Sequence, residues 1–124
     1  MPSNLMVMNQ TTGEVLAVKV TLAHTFGSRL VGLLGTKSLD AGRGLLLKPC
    51  NQVHQLGMRY PILAVYLAED DQVLRTVVLS PWQIGPLVRR ARSVLELPAG
   101  LASKVQPGER LRSVEIPLLV GLMV

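Results

Sequence analysis

Breaker and turn residues interrupt this chain every eight to twelve positions, which leaves room for short strands and almost none for long helices. The runs between the breaks are rich in Val, Ile, Leu and Tyr. Residues 5–9 and 14–20 read as two opening strands, joined by Gln10-Thr11-Thr12-Gly13 as a hairpin turn with glycine near its end. Residues 44–48 form a short buried strand stopped by Pro49. Residues 62–68 and 72–80 make the strongest hairpin, turning at the acidic Glu69-Asp70-Asp71. Residues 93–97 and 110–116 complete about seven strands, with one or two helical turns over 100–105 between them.

The period changes once. Phe26, Leu30, Leu33 and Leu34 stand at i, i+4, i+7 and i+8, the apolar stripe of a short amphipathic helix over residues 25–35. Gly27 and Gly32 each weaken that helix by roughly 1 kcal/mol against alanine, so it depends on packing against the rest of the chain. The expected fold is mainly β (α+β): a single-domain sandwich or barrel of about seven short strands, with this helix covering a face or an open end. The 124 residues form one domain, since no repeat, low-complexity tract or linker divides them.

Composition narrows the functional classes. With 48% hydrophobic and 17% charged residues, the chain is far from a disordered composition. Phe26, Tyr60, Tyr66 and Trp82 are its only aromatics, too few for a platform that stacks bases, so nucleic acid is disfavoured as a partner. One cysteine, Cys50, precludes an internal disulfide, and no readable signal segment precedes the strands, so a cytoplasmic location is expected. No window reaches the roughly twenty apolar residues of a membrane span. The apolar run 116–124 reads as a last strand or a homo-oligomer contact. The net charge of +5 sits mostly in the first half, where six basic residues face two acids. Arg29, Lys37, Arg43, Lys48 and Arg59 either converge on an anion or solvate the surface.

Chemically capable side chains gather in residues 50–61, Cys-Asn-Gln-Val-His-Gln-Leu-Gly-Met-Arg-Tyr-Pro. Pro61 forces Tyr60 toward an extended conformation and Gly57 lets the chain turn, so Gly57-Met58-Arg59-Tyr60-Pro61 is a segment that holds side chains at fixed angles. Arg29, His54, Met58 and Arg59 are therefore candidate ligand-binding residues for a small polar or anionic molecule. Equally, the two arginines could lock helix to sheet. Trp82, between Pro81 and Ile84, is either a plug closing one end of the core, its commoner role, or an exposed platform for the same ligand.

Cys50 is the candidate reactive thiol, because an imidazole such as that of His54 can hold a cysteine as thiolate. On a strand, four residues of separation put the two roughly 13 Å apart, so a tight turn would be needed to join them. Asp40 and Glu96 are the acids left to orient such a pair. Two histidines thirty residues apart and one cysteine lack the short spacing of a metal site, so no metal and no cofactor are expected.

From about residue 24 to residue 111 the chain resembles the domain of unknown function 192 family of small bacterial and archaeal proteins. The matching pieces are Arg29-Leu-Val-Gly32-Leu33-Leu34-Gly35, Gly44-Leu-Leu-Leu47, Cys50-Asn-Gln-Val-His54, Gly57-Met58-Arg59-Tyr60-Pro61-Ile62, Pro81-Trp82 and Leu95-Glu96-Leu97-Pro98-Ala99-Gly100. The resemblance implies a compact β-rich fold and no particular reaction. It also marks two departures: Leu63 stands where relatives usually carry an aspartate, and Gln55 follows His54 where the nearest have threonine. The function expected is that of a soluble, non-enzymatic binding or interaction domain for a small molecule or a protein. The alternative is a small thiol-dependent enzyme using Cys50 and His54.

Overall fold

A computed structural model describes residues 4–24 and 36–116. The helix expected over 25–35, including Arg29, and the apolar run beyond Ile116 lie outside the described residues. Seven strands are present: β1 (Asn4–Asn9), β2 (Val15–Ala23), β3 (Arg43–Leu47), β4 (Ile62–Leu67), β5 (Val73–Leu79), β6 (Ser93–Pro98) and β7 (Leu111–Ile116), with a short 3-10 helix at Ala99–Lys104. They form one sheet in the order β5-β4-β6-β3-β2-β1-β7. No helix among the described residues is long and apolar enough to cross a membrane.

The turns follow from their residues. Gly13, at φ 83, closes the β1–β2 loop by donating its N–H to the Asn9 carbonyl. Asp71, at φ 64, turns the β4–β5 hairpin, a conformation in which aspartate is among the few tolerated side chains. All neighbours in the sheet run antiparallel except β2 and β3, whose parallel register Lys19↔Arg43 to Ala23↔Leu47 requires a long crossover between them.

Each face of the sheet carries its own core. Val7, Val20, Leu46, Leu63, Val65, Val73, Leu95, Leu97 and Leu111 pack together on one side. This cluster draws from both edge strands, β5 and β7, so the sheet curls around it like an incompletely closed barrel. An isolated bridge, Gln72↔Arg110, joins the two edges at one corner. Leu63 is buried in this inner core. The fully buried Asn9 pins the β1–β2 turn to the far end of the barrel. Its amide donates to the Lys104 carbonyl and the Glu109 carboxylate, and its oxygen accepts from the Thr11 and Thr12 N–H groups.

The outer face, built from Ala23, Leu45, Leu47, Ile62, Ala64, Tyr66, Leu79 and Val94, is covered by Val53 and Ala91 from the connecting loops. The two loops that do this, residues 50–61 and 80–92, determine the character of that end of the molecule.

Candidate functional site

Residues 50–56 and 82–92 run antiparallel as an irregular ribbon laid over the outer face. Cys50 N–H donates to the Arg92 carbonyl, Val88 to Asn51, Gly85 to Val53 and Gln55 to Gln83, while His54 and Ile84 form a β-bridge. Alternation along this ribbon follows the two-residue period of extended chain. Val53 and Gln55 are buried, His54 and Leu56 are exposed, and opposite them Gly85 is buried while Ile84 is 65% exposed. The bonds flanking the His54–Ile84 bridge make it a non-hydrogen-bonded pair, which brings their outward side chains close together.

Gly85 is required by this contact. A Cβ there would stand 2.7 Å from the Tyr66 hydroxyl and 2.9 Å from the Val53 carbonyl. Tyr66 reaches up from β4 to donate to the Pro86 carbonyl at 2.8 Å, and burial pushes its hydroxyl pKa up to about 12, so it remains a donor throughout the physiological range. Gly85→Ala is expected to lower the unfolding free energy by about 2 kcal/mol through overpacking. Urea denaturation measures this, and a loss below about 0.5 kcal/mol would mean that the ribbon lifts freely from the sheet.

Gln55 is the centre of the ribbon. Its side-chain amide donates to the Tyr60 carbonyl at 2.8 Å and lies 3.5 Å from that of Leu79. The backbone carbonyl of Gln55 accepts from the N–H groups of both Trp82 and Met58. The buried side chain thus ties its own loop to the end of β5, while the backbone of the same residue joins the two loops.

Trp82 is not a plug. It is 69% exposed and has φ 71. Ser80-Pro81-Trp82-Gln83 closes with a Gln83-to-Ser80 backbone bond and has proline at its second position, so Trp82 occupies the third position of a turn of the type II kind. Glycine is the usual residue there, because a side chain at positive φ is strained by about 1–2 kcal/mol. A bulky aromatic is therefore held outward at a local cost, an arrangement characteristic of working surfaces. Trp82→Gly is expected to leave stability unchanged or raised by up to ~1 kcal/mol. A loss beyond 1 kcal/mol in urea denaturation would restore the plug.

The other expected site residues separate. Met58 is buried, and its N–H donates to the Gln55 backbone carbonyl. Arg59 is exposed. Cys50 is partly buried against the outer core and its thiol donates to the Gln52 carbonyl, whereas the exposed His54 accepts the Leu56 N–H at Nδ1. Both contacts are local to the loop, and no bond between thiol and imidazole stands among the described hydrogen bonds. Nor does any group of three or more His, Cys, Asp or Glu side chains converge among the described residues.

Glu96 is the residue the sequence understated. It lies on β6 between Leu45 and Ala64, its cross-strand neighbours on β3 and β4, and only 5% of it is exposed. Burial pushes its carboxyl pKa up to about 7. The hydroxyl of Tyr60, bonded to Thr36 at 2.7 Å, is likewise raised, first by burial and further by the field of Glu96. The acid flanked by apolar residues in Leu95-Glu96-Leu97 was a visible signal, since a charged residue inside a buried strand pattern demands an explanation.

A curled seven-stranded barrel-like domain with a loop ribbon presenting an outward tryptophan is the class of protein these observations define. The family model of domain of unknown function 192, described as "Uncharacterized ACR", matches residues 7–113 and so extends the likeness back into β1. A UPF0127 protein of Pyrococcus furiosus is 31% identical over 110 residues, covering 85% of this chain and 95% of its own. The chain belongs to this uncharacterised family. A crystal structure of a protein of unknown function from Novosphingobium aromaticivorans shares the fold, with TM-score 0.75, 21% identity, and 90% and 84% of the two chains covered. Another, from Sinorhizobium meliloti and provisionally named a transcription regulator, gives 0.73 and 20%, over 91% and 94%.

Proposed function

We propose that this protein is a non-enzymatic binding module whose ligand surface is the ribbon of residues 54–59 and 80–87. Trp82 carries this reading: a large aromatic side chain, 69% exposed, is held outward in a strained turn. Exposed Leu56, Ile84 and Leu87 stand on the same two loops and add an apolar surface of the sort that marks interaction sites. His54 and Arg59 supply polar and cationic groups beside it, so the ligand class that fits is an anion with an apolar body. The barrel acts as scaffold, and Gln55 keeps the two loops at one spacing.

Trp82 is the chain's single tryptophan, which makes the test direct. The probe is 1-anilinonaphthalene-8-sulfonate, an amphipathic anion, titrated onto the folded protein well below its melting temperature. Energy transfer from Trp82 to bound dye is expected, together with loss of most dye binding in Trp82→Gly. A native protein that binds no dye, or a variant that binds as well as the parent, would overturn the reading.

A further inference from the structure

The two ribbon loops share a charge pattern unlike the rest of the chain. Residues 50–61 and 80–92 contain Arg59, Arg89, Arg90, Arg92 and His54, and not one of the eight acids. All five cationic or potentially cationic side chains are exposed. The two ion pairs among the described residues, Lys104–Glu14 and Arg110–Asp70, both lie elsewhere, so no described acid neutralises these arginines by a direct bridge. Arg90 and Arg92 do share an open cleft with Glu69 and Asp70, and Arg92 also donates to the Arg89 and Ala91 carbonyls. That leaves Arg59 and Arg89 as the cations away from that cleft.

The same two loops carry the exposed Leu56, Trp82, Ile84 and Leu87. Side chains about two-thirds exposed, as Trp82 and Ile84 are, stand clear of the surface instead of lining a groove. A peptide helix or strand docks into a groove. A protruding set of aliphatic side chains with a tryptophan, on two loops that carry arginines and no acid, matches instead a flat partner that is apolar inside and anionic at its surface.

We infer that the Leu56–Trp82–Ile84–Leu87 face of the ribbon docks on anionic lipid surfaces, with its apolar side chains entering the headgroup boundary and Arg59 and Arg89 meeting lipid phosphates. The inference rests on the binding role proposed above and names the source of the amphipathic anion. It requires no helix that spans a bilayer.

Co-sedimentation with vesicles of phosphatidylcholine containing about a third phosphatidylglycerol tests it, alongside the emission maximum of Trp82. Binding with a blue shift is expected on these vesicles and not on pure phosphatidylcholine, with affinity falling as salt rises. Trp82→Ala and the pair Arg59→Gln with Arg89→Gln should each weaken vesicle binding roughly tenfold. All three positions are exposed, and an unchanged melting temperature confirms that each variant is folded. Absence of vesicle binding, equal binding to neutral vesicles, or indifference to these substitutions would overturn the inference. If the soluble dye binds and vesicles do not, the binding role survives and the lipid partner fails. A Trp82 response to an acidic amphipathic peptide with none to vesicles would make this face a protein-docking surface.

Discussion

Glu96→Gln is expected to raise the thermal midpoint by about 10 °C at pH 8 and to leave it nearly unchanged at pH 4. In the folded protein burial pushes the Glu96 carboxyl up to about 7, well above its value in an unfolded chain near 4.3. Below pH 4 both states are protonated, and the carboxyl costs the fold nothing by ionisation. As pH rises from 4 to 7 the unfolded chain releases this proton while the folded one retains it, so stability falls across that window and levels off above it. The total fall is about 3 kcal/mol. Glutamine resembles the protonated acid in shape and polarity and does not ionise, so the variant loses this pH dependence. Calorimetric scans of both proteins from pH 4 to pH 8 provide the check. A variant less stable than the parent at pH 8 would mean that the ionised carboxylate has a strong partner and that burial does not govern it.

Gln55→Ala is expected to destabilise the fold by about 3 kcal/mol, through the cavity left by the side chain and the carbonyl of Tyr60 left without its donor. Gln55→Leu separates the two effects. It preserves most of the volume and removes only the hydrogen bonds, so it should cost about 2 kcal/mol, the desolvation cost of a buried orphan acceptor. Urea titrations of the three proteins give the comparison. Both substitutions leave Gln55's backbone bonds to Gln83, Trp82 and Met58 possible, so a partial loss with a preserved slope is the predicted pattern. A Gln55→Leu protein as stable as the parent would show that packing alone positions the ribbon and that the amide contributes no net stability.

Most strands were legible because each is a short run of β-formers between breakers, and local preference suffices for that. β1 and β2 appear where residues 5–9 and 14–20 predict them, although β2 runs on to Ala23 because its last residues pair in parallel with β3. That parallel pairing had no local signature. Residues 100–105 curl into the 3-10 helix Ala99–Lys104, as the short interval between Pro98 and Pro107 allows. The ribbon of residues 50–56 on 82–92 was not legible, since its bonds join segments some thirty residues apart with no regular alternation in the second one. For Trp82 the sequence left a plug and an exposed platform both open: Pro81 announced a turn, but only the partners of the surrounding backbone decide that Trp82 takes the third position and faces out.

What the sequence by itself determined is the β-rich class, the number of strands, the hairpin turns at Gly13 and Asp71, the family, and the concentration of unusual side chains in residues 50–61. These depend on steric preferences and on hydrophobic periodicity, which act over a few residues. Tertiary structure alone decided that the sheet curls until β5 and β7 meet at Gln72 and Arg110, that Met58 turns inward, and that Glu96 is deprived of water between Leu45 and Ala64. Burial is a property of what the rest of the chain places around a residue, so the pKa of Glu96 and the outward set of Trp82 exist only once the strands and loops have closed on one another.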